Sequence, residues 1–323
     1  MTSAIRYARA HTRMRALKSR LWTAADRPLL LEAWTDPDGR PVSGDPGHVY
    51  PPLVRWYETL MGAAPDGRRA LAALLRLHEA ENLKLLWRAA FHRSDLVAGS
   101  WRPLEPLATI SPADRAASVE ELAERLASTP YGALARTLLR SHPHDLLAVE
   151  IGIDRWASAG LGDAARALPR GEAAAACLLL AVCRERDVTL LRRGARSFGL
   201  APDLVAKSTI VLSTECRIEA LVRMAMWTPA AGPLAAVLPP PLLRMGGDVP
   251  DWPALEIALR EHRRRACRRA FVQWPFQLAP LIAAVLLREG QGRLAIGLAA
   301  ARRARAAARP ALRPALAASA VEG

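Results

Sequence analysis

Apolar positions recur at helical spacing along most of the chain, and no stretch alternates between apolar and polar residues with a period of two. Apolar residues at positions i, i+3, i+4 and i+7 predict amphipathic helices, whereas strict alternation is expected of half-buried strands. Alanine and leucine are abundant while Ile, Thr, Tyr and Phe are few, which also favours helix over sheet. The sequence therefore predicts an all-α fold.

Segments rich in proline and glycine divide this pattern into separate helices. Loops or connectors are predicted at 36–52, 101–112 and 238–253. Helices are predicted over 3–22, 53–60, 68–92, 145–159, 172–197, 254–273 and 280–305, and others begin near Ser118 and at Pro130. After residue 305 the chain alternates Ala, Arg and Pro, which predicts a disordered tail over 306–323.

One helical pattern occurs three times at a nearly constant interval. In each copy an apolar run meets a basic residue, then a glutamate, and then a second apolar run. The glutamates are Glu79, Glu185 and Glu289, which lie 106 and 104 residues apart. Two residues after them come Glu81, Asp187 and Gln291. A period of about a hundred residues is too long for a solenoid repeat.

We therefore expect three similar helical lobes, over 1–110, 111–207 and 208–305. The repeated glutamates allow two interpretations. They could form a ring of three carboxylates around a pseudo-threefold axis, or each could sit at a helix bend and pair with an arginine that holds lobe to lobe. The second is favoured because a buried carboxylate needs such a partner.

The formal net charge is +14, and almost all the positive charge is arginine, since the chain has only three lysines. Arginine suits the recognition of carboxylates and phosphates. This charge favours contact with acidic proteins, an anionic membrane surface or nucleic acid. The basic run 262–269 has no interleaved aromatic residues and no helix-turn-helix spacing, so specific nucleic-acid recognition is not expected.

Signals of catalysis, cofactor binding and metal binding are absent from the sequence. No phosphate-binding glycine loop, nucleotide-binding fingerprint, zinc-protease helix or nucleophile elbow occurs in a usable context. His142 and His144 flank a proline, and no further ligand completes a metal site. We therefore expect neither catalytic residues nor a cofactor or metal.

Several features bear on location. The longest apolar runs are far shorter than the ~20 residues that span a bilayer. The N-terminus is basic without an apolar core, unlike a secretory signal. Four cysteines form no CxxC pair and are expected to be buried thiols in a reducing compartment. The expected protein is cytoplasmic, soluble or peripheral to a membrane.

The repeated segments also carry a family resemblance. The first, LLRLHEAENLKLLWRAAFHR, resembles the acidic-x-x-Asn-Leu helix of the central-stalk C-type protein of vacuolar/archaeal-type rotary ATPases, whose eukaryotic counterpart is called d. Glu79, Asn82 and Leu83 hold the family's positions there. RERDVTLLRRGARSFGLAPD and WPFQLAPLIAAVLLREGQGRLAIGLAAARR are similar to the family's second and C-terminal elements. The later copies depart from the pattern, with Val188 and Gly292 in place of the asparagine, so the chain is identified as a divergent member.

The resemblance implies a three-lobed helical funnel with pseudo-threefold symmetry and no catalytic role. One copy would sit on the cytoplasmic face of the membrane ion ring, receive shaft subunits of the D and F type, and transmit torque. It assigns no individual contact residues, but two arginine-rich faces are candidates: Arg13, Arg15, Arg20, Arg263, Arg264, Arg265, Arg268 and Arg269. The alternative from another class is a basic helical scaffold or nucleic-acid-associated protein.

Overall fold

A computed structural model of the chain describes residues 3–19, 21, 45–95, 100–196, 201–211 and 252–319. Its helices are α1 (Ser3–Lys18), α2 (Pro46–Ala63), α3 (Arg68–His92), α4 (Val119–Arg125), α5 (Gly132–Ser141), α6 (Leu146–Arg166), α7 (Ala173–Arg196), α8 (Pro202–Ser208), α9 (Trp252–Gln273) and α10 (Ala279–Ser319). Within those ranges there is no strand, which confirms the all-α prediction.

Helix α10 is central to the packing, because α1, α2, α7 and α9 all contact it. Residues 278–286, at its start, are buried on every side. A helix that is apolar all round needs such an enclosed position. The other long helices form a series of neighbours, in which α3 packs on α6, α6 on α7, and α7 on α9. The five helices α3, α6, α7, α9 and α10 therefore lie around a common space.

Side-chain caps explain where several helices begin. Asp45 accepts a hydrogen bond from the Gly47 N–H at 2.9 Å at the start of α2. Ser118 accepts one from the Glu121 N–H at 3.2 Å, at the start predicted for α4. Such caps satisfy N–H groups that the first turn of a helix leaves without partners.

Four of the element predictions need correction. The predicted loop 36–52 is wrong over 46–52, where α2 already runs and continues through two internal prolines. Burial of Tyr50 and Leu53 outweighs the poor helix propensity of proline there. Helix α6 continues past Gly160, where the sequence predicted an end, because Leu161 is buried and extends the apolar stripe.

Helix α5 begins at Gly132 rather than at Pro130, because the Thr129 hydroxyl accepts a hydrogen bond from the Tyr131 N–H at 3.2 Å and holds a turn before the helix. At the other end of the chain, α10 runs to Ser319 through the segment predicted to be a disordered tail. Its many alanines and arginines are strong helix formers.

The lobe prediction concerns segments that are only partly described. Predicted elements in 22–44 and 212–251, including the connector 238–253 and the candidate Arg20, lie outside the described residues. The three-lobed, pseudo-threefold arrangement stays a prediction. Of the cysteines, Cys183 and Cys267 are buried as expected, whereas Cys177 is exposed.

Candidate functional site

Glu79 binds a later part of the chain to helix α3. Its side chain is buried and accepts hydrogen bonds from the backbone N–H groups of Thr109 and Ile110, the latter at 3.2 Å. The Thr109 hydroxyl donates at 2.7 Å, and the Tyr131 hydroxyl donates as well. Burial and the nearby carboxylate raise the pKa of Tyr131, so this phenol stays a donor. Glu79 therefore fixes the proline-rich connector and the start of α5.

Asp187 binds a later part of the chain to helix α7 in the same way. Its carboxylate accepts hydrogen bonds from the Ile210 N–H at 3.0 Å and the Val211 N–H at 2.7 Å. In both helices a carboxylate thus binds two successive backbone N–H groups of a segment further along the chain. The sequence repeat aligned Glu79 with Glu185, but by its contacts Glu79 corresponds to Asp187. The first two copies therefore make the same kind of contact, in a register that differs by two residues from the sequence alignment.

Glu289, in α10, connects helices that are far apart in sequence. The Tyr57 hydroxyl donates to its Oε1 at 2.5 Å, and His78 Nε2 lies 2.9 Å from the same oxygen. Arg293 lies 3.5 Å from the other oxygen. Burial alone would raise the pKa of Glu289, but His78, Arg293 and Tyr57 lower it to about 2. The carboxylate is therefore ionised and holds α2 and α3 against α10.

Glu185 has the partner that the sequence predicted for all three glutamates. Arg263 of α9 donates to its Oε1 at 2.5 Å, and both side chains are at least four-fifths buried. Burial opposes the charge of Arg263, yet Glu185 and Glu289 raise its pKa. Among the described residues Glu79 has no arginine partner, and it shares no hydrogen-bond partner with Glu185 or Glu289.

The remaining motif positions are also structural in their contacts. Asn82 exchanges two hydrogen bonds with the backbone of Arg102, at 2.8 and 2.9 Å, which adds a second attachment for the connector. Leu83 is fully buried in the core. The Gln291 amide oxygen accepts from Arg288, one turn earlier, at 3.3 Å.

A cavity of about 1530 Å³ lies between α3, α6, α7, α9 and α10, and Lys18 of α1 and Ser208 of α8 also line it. Its lining residues include eleven lysines or arginines and seven aspartates or glutamates, so the wall is strongly charged with a positive excess. The positive excess favours a partner that carries acidic groups.

Ion pairs join the helices along the cavity wall. Lys84 of α3 contacts Asp154 of α6 at 3.1 Å and Glu81 at 2.9 Å. Arg186 of α7 contacts the same Asp154 at 2.7 Å. Burial of Glu81 opposes its charge, but Lys84 and Arg102 lower its pKa to about 2. Three helices are therefore linked by one network of partly buried charges, which sequence reasoning missed because its members lie up to 105 residues apart.

The candidate basic residues fall into three classes by burial and contacts. Arg263 is buried against Glu185 and is not part of any contact surface. Arg264 and Arg265 are exposed but both contact Glu261. Two groups of exposed arginines show no ion pair with a described residue: Arg13 and Arg15 on α1, and Arg268 and Arg269 on α9.

A comparison with protein families bears on these contacts. A family model described as ATP synthase (C/AC39) subunit matches residues 52–290, which include the repeated glutamates and most of the five helices around the cavity. The chain belongs to this family. No curated protein matches the chain by sequence.

Membership of the C/AC39 family confirms the resemblance to the C-type, or d-type, stalk component of V/A-type ATPases. The family is a structural component of the ATP synthase. The described residues contain no group of three or more His, Cys, Asp or Glu side chains placed to hold a metal. Among the helices of the described ranges, none is long and apolar enough to cross a membrane.

Proposed function

We propose that this C/AC39 chain is the non-catalytic central-stalk component of a V/A-type ATPase. One copy links the rotating shaft, of D- and F-type subunits, to the membrane ion ring on the cytoplasmic face and transmits torque for proton or sodium transport. The observation that carries the proposal is the cavity of about 1530 Å³ lined mainly by five helices, four of which lie wholly within the family-matched residues 52–290. We assign this cavity to the tip of the shaft.

The construction of the cavity wall supports this assignment. A part that transmits torque must keep its helices in fixed positions while a partner pushes against them. The network centred on Lys84 and Asp154, and the buried pair of Arg263 and Glu185, join the helices at points where the wall would otherwise slide. Removing one member of a buried pair typically costs about 3–5 kcal/mol, so such contacts resist separation.

The charge of the wall supports a partner with acidic side chains. Arg155 of α6 and Arg193 of α7 line the cavity, are exposed, and form no ion pair with a described residue. Opposite charges across an interface steer association and fix the register of the partners. The nucleic-acid alternative has less support, because the basic run on α9 has Arg263 buried and Arg264 and Arg265 facing Glu261.

The first experiment is recovery of the tagged chain from detergent-solubilised native membranes, with partners identified by mass spectrometry. Recovery with ring, shaft and nucleotide-binding subunits is expected. A solitary protein, or one recovered with nucleic acid whose affinity falls steeply with salt, would overturn the proposal.

A second experiment tests the cavity. The double variant Arg155→Glu, Arg193→Glu is expected to weaken binding to purified shaft subunits by about tenfold or more, since each reversal places like charges together. The matched control is Arg136→Glu, Arg140→Glu on α5, where both arginines are exposed and neither lines the cavity. Equal binding by the two double variants would show that the shaft binds elsewhere.

A further inference from the structure

Two large apolar side chains near the junction of α9 and α10 are exposed and do not line the cavity. Val272 is 78% exposed and Phe276 is 39% exposed, although most large apolar residues of the described structure are buried. Trp274 lies between them and is half-buried against the core. We call Val272, Trp274 and Phe276 the apolar tip. Val272 and Phe276 are only four positions apart, which is a denser exposure of large apolar residues than single ones scattered over a surface.

Phe276 is held in an unfavourable backbone conformation. Its φ is 66°, in the left-handed region that bulky residues rarely adopt. The turn is fixed by His11 Nε2, which lies 3.1 Å from the carbonyl oxygen of Gln277, and by contact of the His11 and Phe276 rings at 5.3 Å. A residue kept in such a conformation, with its ring partly in solvent, indicates a use for the ring at this position.

Basic residues surround the apolar tip. Arg268 and Arg269 lie four and three positions before Val272 on α9, which places them one helical turn away. Lys18 of α1 lies with its Nζ 4.7 Å from the centre of the Phe271 ring. Arg15 is one turn from His11 on α1. We call Arg15, Lys18, Arg268 and Arg269 the basic collar.

Acidic residues are missing from both segments that build this surface. Neither 3–21 nor 262–288 contains an aspartate or a glutamate. Glu172, which accepts a hydrogen bond from the Leu278 N–H at 2.8 Å, is buried beneath the turn and does not face outward. Burial lowers the pKa of His11, so that ring is neutral at physiological pH. The nearest acidic residue before Arg268 on α9 is Glu261, which is paired with Arg264 and Arg265, so the collar keeps a net positive charge.

We propose that the apolar tip inserts among the headgroups of a bilayer and that the basic collar binds the phosphates of anionic phospholipids. Aromatic and apolar side chains surrounded by lysine and arginine are the combination that interfacial membrane binding uses. Each basic residue near an anionic leaflet strengthens binding roughly fivefold, and the attraction falls off within a Debye length. Lys18 and Arg268 of the basic collar also line the cavity, whereas Val272, Trp274 and Phe276 do not, so the apolar tip is a contact additional to the cavity.

The test is co-sedimentation of the purified full chain with vesicles of phosphatidylcholine alone or mixed with phosphatidylglycerol. Binding to the anionic vesicles, weakened at high salt, is expected. Arg268→Gln, Arg269→Gln should weaken it roughly 25-fold at low salt. Val272→Ser, Phe276→Asn should weaken it by about tenfold or more, and asparagine tolerates the left-handed backbone, so the turn is retained.

Matched control variants distinguish binding through the apolar tip and basic collar from nonspecific binding through any exposed apolar or basic residue. Ile257→Ser removes another exposed apolar residue of α9, fifteen residues from Val272. Arg136→Gln, Arg140→Gln removes the same charge from α5. Both controls are expected to bind vesicles as the natural chain does. Absence of vesicle binding, or equal loss in tip and control variants, would overturn the proposal.

The shaft-binding experiment distinguishes the two proposals. The Val272→Ser, Phe276→Asn variant should bind shaft subunits normally, and Arg155→Glu, Arg193→Glu should bind vesicles within a few-fold of the natural chain. If the Val272→Ser, Phe276→Asn variant binds vesicles normally but loses the purified membrane ring, the surface binds protein and the lipid proposal is wrong.

Discussion

Replacing Glu289 by glutamine tests whether charge at the centre of the fold stabilises it. The carboxyl is buried, and its pKa is lowered from 4.5 to about 2 by His78, Arg293 and Tyr57 in spite of burial. Each pKa unit between the folded and unfolded states corresponds to about 1.4 kcal/mol. The ionised carboxylate therefore stabilises the folded chain by about 3 kcal/mol at neutral pH.

The way in which this stabilisation changes with pH follows from the lowered pKa of Glu289. The folded state prefers the ionised form, so the stabilisation is complete above the unfolded pKa near 4.5 and is lost as the pH falls through about 2. We expect Glu289→Gln to lower the free energy of unfolding by about 3 kcal/mol at about pH 7 but by only about 1 kcal/mol at about pH 3. Glutamine keeps a similar size and an oxygen acceptor for Tyr57, so the comparison isolates the charge.

Urea denaturation of both proteins at the two pH values measures this difference. Glu124→Gln on the exposed face of α4 is the control and should change the free energy of unfolding by less than about 0.5 kcal/mol. A deficit for Glu289→Gln that is the same at both pH values would refute the reasoning, because the loss would then come from packing.

Three further predictions are checked by the same unfolding measurement. Gly132→Ala should lower the free energy of unfolding by more than about 1 kcal/mol, because the added Cβ would clash with the Ala127 carbonyl oxygen. A Cβ at Gly160 meets nothing within 4 Å, so Gly160→Ala should be neutral or stabilising. Equal effects of the two substitutions would contradict this prediction. Arg263→Met should lower the free energy of unfolding by about 3–5 kcal/mol, because it leaves the Glu185 carboxylate buried without a partner. Adding Glu185→Leu should restore most of that stability. A double variant no more stable than Arg263→Met would show that the ion pair does not stabilise the fold. Phe276→Asn should stabilise by about 1 kcal/mol by relieving the left-handed backbone, and a loss of stability would show that the ring packs usefully.

Helices could be predicted from the sequence where local chemistry decides them. The bounds of α3, Arg68 and His92, were predicted because a Pro-Asp-Gly turn precedes a long run with helical periodicity. The predicted helix bounds that were wrong depend on contacts with distant parts of the chain. Helix α2 begins early because Tyr50 and Leu53 are buried. Gly160 was predicted to end helix α6 because glycine has a low helix propensity. Burial of the next residue, Leu161, stabilises the helix by more than that propensity costs.

The candidate site could be predicted only in part, for a similar reason. The repeat located the carboxylates that matter, but two acidic residues two positions apart are present in each of the first two copies, and the pattern alone does not say which one bonds to the following segment. The partners of Glu79 lie 30, 31 and 52 residues away, and the partner of Glu185 lies 78 residues away. Such pairings depend on the packing of α3, α7 and α9.

The contacts of Glu289 have a consequence for biosynthesis. Tyr57 and His78 precede it by 232 and 211 residues, so both have left the ribosome long before their shared partner. At about 5–20 residues per second, His78 waits roughly 10–40 seconds for Glu289 to be made. Throughout that interval the apolar face of α2 that later receives α10 is uncovered. A chaperone that shields nascent apolar surface is therefore expected to engage this chain between the synthesis of α3 and that of α10.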